Sequence, residues 1–202
     1  MSLKPYYQDD NVTIYHGDCK EIMPQLGNFD LLLTDPPYGI NIAANPVRQK
    51  HSKKDWDNSV PERWLLEYAI HKTSKSIVWG GNYFKLAPSK CFLIWDKVQP
   101  QNFTLAMAEQ AWSNLEMPAK LFKRSVTGYS KQHPTQKPVE LMQWCISLMP
   151  EAETILDPFA GSGTTGRAAK DLGKKAVLIE KEEDYCKAAV LRMAQETLLS
   201  PL

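Results

Sequence analysis

Two short segments hold residues that could do chemistry together. In Asp35-Pro36-Pro37-Tyr38, the Asp35 carboxylate and the Pro36 carbonyl can both accept hydrogen bonds, and the two prolines fix the chain and bring no competing N–H. Such acceptors can draw on the hydrogens of a conjugated amino group, pull its nitrogen towards a pyramidal state and free its lone pair. Tyr38 adds a ring face on which a flat heterocycle can stack. In Asp157-Pro158-Phe159-Ala160-Gly161-Ser162-Gly163-Thr164-Thr165, the glycines allow a tight turn, and a helix starting there offers free N–H groups to a carboxylate. A chance Asp-Pro-Pro-Tyr is expected in a chain of this size about one time in a thousand, and a chance Phe-x-Gly-x-Gly roughly one time in thirty. Their joint presence therefore signals a built site, although a Gly-x-Gly turn alone also fits nucleotide binding or a plain tight turn. The third glycine of a dinucleotide fingerprint is not in its place.

With these motifs the chain resembles the amino-methylating DNA methyltransferases of the permuted β type, in which the Asp-Pro-Pro-Tyr half precedes the Gly-rich half. The likeness runs through nearly the whole chain: His16-Gly17-Asp18, Ile77-Val78-Trp79-Gly80-Gly81-Asn82-Tyr83, His133-Pro134-Thr135-Gln136-Lys137-Pro138 and Val177-Leu178-Ile179-Glu180 all take part. The small size is similar to solitary enzymes of bacteriophages and mobile elements. The resemblance implies direct transfer of a methyl group from S-adenosylmethionine (AdoMet) to the exocyclic amino group of a base flipped out of double-stranded DNA. Asp35, Pro36, Pro37 and Tyr38 would be catalytic.

Cofactor contacts would come from Asp18 at the adenine, from Thr135 and Lys137 beside the methionine moiety, and from Asp157, Phe159, Gly161, Ser162, Gly163 and Thr164 at the turn. Glu180, closing a strand, can accept hydrogen bonds from both ribose hydroxyls. Asp18 can at the same time cap the helix starting near Lys20, and an acidic residue in Glu180's place also fits a helix cap. Lys137 could pair with the methionine carboxylate, while the 133–138 segment also reads as a rigid lead-in to a helix. Asp35 at the head of the tetrapeptide, where Ser also occurs in the family, favours adenine over cytosine. Asp in place of Asn speaks against the related enzymes that methylate a protein glutamine. The competing readings are a cytosine amino-methyltransferase, an enzyme preferring RNA, and a non-catalytic protein that binds DNA or AdoMet.

These residues must be held by a scaffold. Apolar runs at Val12–Tyr15, Phe29–Thr34, Ser76–Trp79, Cys91–Trp95, Thr154–Leu156 and Ala176–Ile179 read as strands, and the unbroken ones suggest burial on both faces. Helical patterns cover Lys20–Leu26, Pro61–His71, Val139–Met149, Gly163–Leu172 and Glu182–Leu198, with Pro61 and Pro138 just ahead of two of them. The alternation predicts an α/β fold: a doubly wound, mostly parallel, Rossmann-like sheet with helices on both faces and a small inserted recognition region. Asp18, Asp35, Trp79, Asp157 and Glu180 fall at or just after strand ends, so they can meet on one rim.

The 202 residues, 43% of them hydrophobic, suffice for one core and one methyltransferase domain over 1–202. A polar span at 39–58 reads as a mobile DNA-contact loop and the mixed span 98–132 as the target-recognition region. The net charge of +1 is low for a protein that meets a polyanion, so positive charge must be local. Candidate phosphate contacts are Arg48, Lys50, Lys53 and Lys54 in the first span and Lys123, Arg124 and Lys131 in the second. Trp56 reads equally as a lid over the pocket or an anchor for its loop, and Trp79 as core or as pocket wall. Cys19, Cys91, Cys145 and Cys186 show neither disulfide nor zinc spacing and read as packed thiols. With no membrane-spanning stretch and no signal pattern, a cytoplasmic location in a bacterium or phage-infected cell is expected. Similar enzymes often form homodimers, a state compatible with this chain.

Overall fold

The computed structural model describes residues 3–39, 61–100, 102, 106–126 and 136–195. Its centre is a nine-stranded sheet: β1 (Tyr7–Gln8), β2 (Val12–His16), β3 (Phe29–Thr34), β4 (Thr73–Trp79), β5 (Cys91–Asp96), β6 (Ala108–Ser113), β7 (Lys120–Lys123), β8 (Thr154–Asp157) and β9 (Lys175–Glu180). The helices are α1 (Cys19–Ile22), α2 (Arg63–His71), α3 (Val139–Ser147), α4 (Thr164–Asp171) and α5 (Glu183–Met193). The strand order is β1-β2-β9-β8-β3-β4-β6-β5-β7.

From β2 through β9, β8 and β3 to β4 every pairing is parallel, and β6 is the antiparallel strand wedged between β4 and β5. The β3-α2-β4 crossover leads to one side of β3, and β8-α4-β9 leads to the other side of β8. β3 and β8 are neighbours, so the strand order reverses between them, which is where ligands settle in such sheets.

The run Phe29–Thr34 shows why these strands are apolar throughout. Leu31 and Leu33 join the core that includes Leu141, Cys145 and Ala168, whereas Leu32 joins the opposite core with Leu65, Ala69 and Met23. Side chains alternate across a strand, so a strand covered on both faces must be apolar at every position. Helices α3, α4 and α5 cover one face and α1 and α2 the other. All four cysteines are buried as thiols. No helix among the described residues is long and apolar enough to cross a membrane.

The span 98–132, read as a recognition region with a few short strands, supplies β6 and β7 to the common sheet from its described residues, with Trp112 in the core beside Val78. Ala108–Ser113 shows no alternation because its first half is open and its second half is buried on both faces.

Candidate active site

A cavity of about 750 Å³ opens at the carboxyl ends of β3, β8 and β9. It is lined from the Asp-Pro-Pro-Tyr side by Asp35, Pro37 and Lys137, and from the Gly-rich side by Phe159, Gly161 and Glu180. The two motifs, more than a hundred positions apart in the chain, therefore face one another across the switch point.

On the Gly-rich side, Asp157 ends β8 and supports the turn. Its Oδ1 accepts from Thr34 Oγ1 at 2.7 Å and from the Phe159 N–H at 3.1 Å, and its Oδ2 from Thr165 Oγ1 at 2.6 Å. Burial pushes its carboxyl up to about 6 against those hydrogen bonds. Asp157 lines the cavity, but both oxygens already hold the turn together. Gly163 caps α4 at φ +77°, and a Cβ there would stand 2.7 Å from Ala189 Cβ. No larger residue keeps both that backbone and the packing on α5.

Glu180 Oε2 accepts from the Gly161 N–H at 2.7 Å and Oε1 from the Glu182 N–H at 2.8 Å, while burial raises its carboxyl above the usual range. Asp18 caps α1 through the Lys20 N–H at 3.0 Å, which pulls its carboxyl down, and its other oxygen lies 3.3 Å from Lys181 Nζ. Arg192, buried on α5, donates to the Ser162 carbonyl at 2.8 Å and to Gln136 Oε1 at 3.0 Å. It ties the turn to the segment before α3.

On the other side, Asp35 is held by two donors. The Tyr38 hydroxyl donates to Oδ1, and Lys137 Nζ donates to Oδ2 at 2.6 Å and to the Tyr38 oxygen at 3.1 Å. Glu109 Oε2 lies 3.0 Å from the same ammonium as an ion pair without an aligned hydrogen bond, and Lys97 Nζ lies 2.5 Å from Glu109 Oε1. Burial pushes Asp35 up, opposed by Lys137 and helped by Glu109. For Glu109, burial is overcome by Lys137 and Lys97, which hold it down at about 2. Lys137 stays well above its ordinary value because the carboxylates of Asp35 and Glu109 outweigh its burial.

The Tyr38 ring stacks on Tyr83 with centroids 4.8 Å apart and meets Phe84 edge-on at 6.2 Å. Gly80, at φ +70°, makes room for it: a Cβ there would lie 2.0 Å from Tyr38 Cε1.

The family model described as DNA methylase, for N6 and N4 amino-methylation, matches residues 94–191. Over these residues the chain is similar to the N6/N4 DNA methylases. It is similar, at 28% identity over 96% of its length and 93% of the relative's, to the type II methyltransferase M2.LlaDCHI of Lactococcus lactis subsp. cremoris. It is 27% identical to M2.MboI of Moraxella bovis over 98% of this chain and 93% of that one. Among solved structures, the PvuII DNA methyltransferase, titled cytosine-N4-specific, shares the fold with a TM-score of 0.65 at 19% identity, covering 98% of this chain and 91% of that one. M1.HpyAVI, solved as a complex with SAM, gives 0.60 at 24% identity, covering 91% of this chain and all of that one.

Of the residues singled out from the sequence, Asp18, Asp35, Pro37, Lys137, Asp157, Phe159, Gly161, Ser162, Thr164 and Glu180 all line the cavity. Pro36 is buried, Tyr38 reaches the site through its hydrogen bond to Asp35, and Gly163 through its place at the head of α4; none of the three lines the cavity. The Lys137 ammonium, which lines the cavity, is paired with the carboxylates of Asp35 and Glu109.

Trp79 is wholly buried, the core alternative. Lys123 is exposed at the end of β7, and Arg124 is ion-paired to Glu140 on α3 at 2.7 Å. Neither lines the cavity, but β7 runs parallel to β3 across the intervening strands, so both sit on the same rim. Arg48, Lys50, Lys53, Lys54, Trp56, Lys131 and Thr135 lie outside the described residues.

The sequence reading missed Lys97, Glu109 and Arg192. Arg192 had a signal, since it continues the stripe of Cys186 and Ala189 along the buried face of α5. Glu109 had none, because its strand shows no period.

Proposed function

We propose that this chain is an AdoMet-dependent DNA methyltransferase that acts on the N6 amino group of adenine. The observation that carries the reading is the convergence of Asp35 and Glu180 on one cavity of about 750 Å³, a volume that suits a nucleoside-sized ligand with room for a reacting group.

The groups present fit AdoMet. The first turn of α4 leaves N–H groups without intrahelical partners, an anion site suited to the methionine carboxylate, with Ser162 and Thr164 beside it. Glu180 and Asp18 bring carboxylates to the other part of the cavity, suited to a ribose diol and an adenine amine, and Leu65, Phe159 and Ile179 add apolar wall. When bound, AdoMet supplies an electrophilic methyl group on sulfur, which departs as a neutral thioether.

The chain's own residues prepare the nucleophile. An exocyclic amino group is conjugated with its ring and attacks poorly. Asp35 Oδ1 and the Pro36 carbonyl accept its hydrogens and localise the lone pair on nitrogen. The incoming amine takes the place on Oδ1 that the Tyr38 hydroxyl now fills, and the Tyr38 ring is released to stack on the base. Unstacking the base from DNA costs a few kcal/mol, offset by such contacts. The amino nitrogen would accept the methyl carbon from the sulfur of the bound cofactor, and Asp35 would take the surplus proton from that nitrogen and pass it to solvent. Alignment and fixed charges supply the rate.

Lys123 and the basic residues of 39–58 serve as phosphate contacts on this reading. Adenine is favoured by Asp35 at the head of the tetrapeptide. Reaction on unmethylated DNA followed by nucleoside mass spectrometry tests the reading: N6-methyladenine is expected, N4-methylcytosine would transfer the account to the other base, and no methylated base despite AdoMet binding would overturn it.

A further inference from the structure

We propose that Lys137 and Glu109 are positioning residues for methyl transfer, with Lys137 orienting the Asp35 carboxylate and Glu109 holding Lys137 in place. The inference rests on the methyltransferase reading and deepens it. It assigns Lys137 to the reacting centre and not to the cofactor, and it gives Glu109 a task that nothing in its sequence neighbourhood indicates.

The geometry is a row of alternating charges: Lys97, Glu109, Lys137 and Asp35, with successive nitrogen–oxygen distances of 2.5, 3.0 and 2.6 Å. Lys137 is only 3% exposed and Lys97 13%, while Glu109 and Asp35 keep 27% and 22%, so the row is shielded most at the ammonium that meets Asp35, and Asp35 faces the cavity. The four charges sum to zero, which makes burial of the row tolerable. The members come from three parts of the fold: the end of β3, strand β6 with the end of β5, and the segment before α3. Such a row is hard to explain as stabilisation alone, since buried ion pairs often do no better than apolar packing.

At Asp35 the row has a definite effect. With Oδ2 fixed on Lys137 Nζ, the carboxylate cannot rotate freely, and Oδ1 is the oxygen left to the incoming amine once Tyr38 withdraws. The ammonium also opposes the rise that burial and Glu109 impose on the Asp35 carboxyl. A protonated Asp35 would have one oxygen fewer to accept the amino hydrogen. Lys137 cannot serve as proton acceptor, being charged already. The cation–π approach of Lys137 Nζ to the Tyr38 ring, 5.5 Å from its centroid, and to the Trp79 ring at 5.9 Å restricts it further.

The groups that face Asp35 are Tyr38 on its own strand end, Lys137 before α3, Glu109 on β6 and Asp157 on β8. Removing the cation and removing the anion should therefore act in opposite directions. In Lys137→Met the acid limb of the single-turnover rate moves to higher pH, and in Glu109→Gln it moves to lower pH. A merely structural role would not produce this reversal of sign.

The test measures AdoMet affinity by calorimetry and single-turnover methyl transfer to DNA across pH for wild type, Lys137→Met, Lys137→Arg and Glu109→Gln. The expected result is a loss of transfer of about a hundredfold or more in Lys137→Met, comparable to losing one fixed electrostatic donor, with unchanged AdoMet affinity, partial rescue by Lys137→Arg, and the opposed pH shifts. Weakened AdoMet binding that accounts for the lost transfer would overturn the proposal by returning Lys137 to the cofactor. So would full activity in Lys137→Met, or pH shifts of the same sign. If Lys137→Met fails to fold, Glu109→Gln alone decides by the direction of its shift. A wild type that binds AdoMet and methylates nothing takes down the proposed function itself, an outcome distinct from the others.

Discussion

The Gly161 N–H donates to the Glu180 carboxylate over 2.7 Å, which joins the turn after β8 to the end of β9. The proposed cofactor cradle is thus one braced unit, set before any ligand arrives. Glu180→Ala releases the turn and removes an acceptor for the ribose. AdoMet affinity by calorimetry is expected to fall tenfold or more, about 1.4 kcal/mol, with little change in thermal stability. Unchanged affinity would remove Glu180 from the site.

Two glycines separate activity from stability. Gly80→Ala drives a methyl into the Tyr38 ring at 2.0 Å, so Tyr38 must leave its place against Tyr83, and transfer should fall steeply while AdoMet still binds. Gly163→Ala sets a methyl against Ala189 on α5 at 2.7 Å and strains a backbone at φ +77°. Its main effect should be on folding, by 1 kcal/mol or more, read from chemical denaturation.

Arg192 braces the turn from behind through Ser162 and Gln136. Arg192→Ala leaves buried acceptors without their donor at a cost of about 1–3 kcal/mol. Denaturation should show that loss together with weaker AdoMet binding, whereas an exposed control such as Lys187→Ala should change neither.

Acid lability has a defined sign. Asp9 is held at about 2 against an ordinary 3.8, because Lys170 and the backbone N–H groups of Val12 and Asn11 overcome its burial. Its stabilisation is complete above its unfolded value and is lost as pH falls through about 2. Glu109, also at about 2, acts in the same direction. Asp157, raised to about 6, acts oppositely and costs stability as pH rises from about 4 towards 6. Melting temperature should therefore drop between pH 4 and 2, and Asp9→Asn should drop less over that interval than wild type. An equal drop in both would sink the assignment.

Much of the fold was legible because β3, β4, β8 and β9 are buried on both faces and their sequences are correspondingly unbroken. β6 was not, since Ala108–Ser113 passes from open to buried along its length. Nor was β7, where Lys120 and Lys123 bracket Leu121 and Phe122 at the sheet margin. In the site, residue types and their strand-end positions indicated which groups meet, as Asp35, Phe159 and Glu180 show. They could not indicate which partner each group takes. Lys137 and Asp35 are 102 positions apart, and their pairing follows from how the segment before α3 crosses the end of β3. Glu109 completes it from a strand whose side-chain directions become clear only once β6 is seated between β4 and β5.

The most direct test compares wild type with Asp35→Asn, which keeps the side chain's shape and its contact with Tyr38 but removes the charge. Transfer of labelled methyl from AdoMet to unmethylated DNA is measured beside AdoMet affinity. The account predicts that Asp35→Asn binds AdoMet as wild type does and loses transfer by about a hundredfold or more. Transfer at the wild-type rate by Asp35→Asn would contradict it.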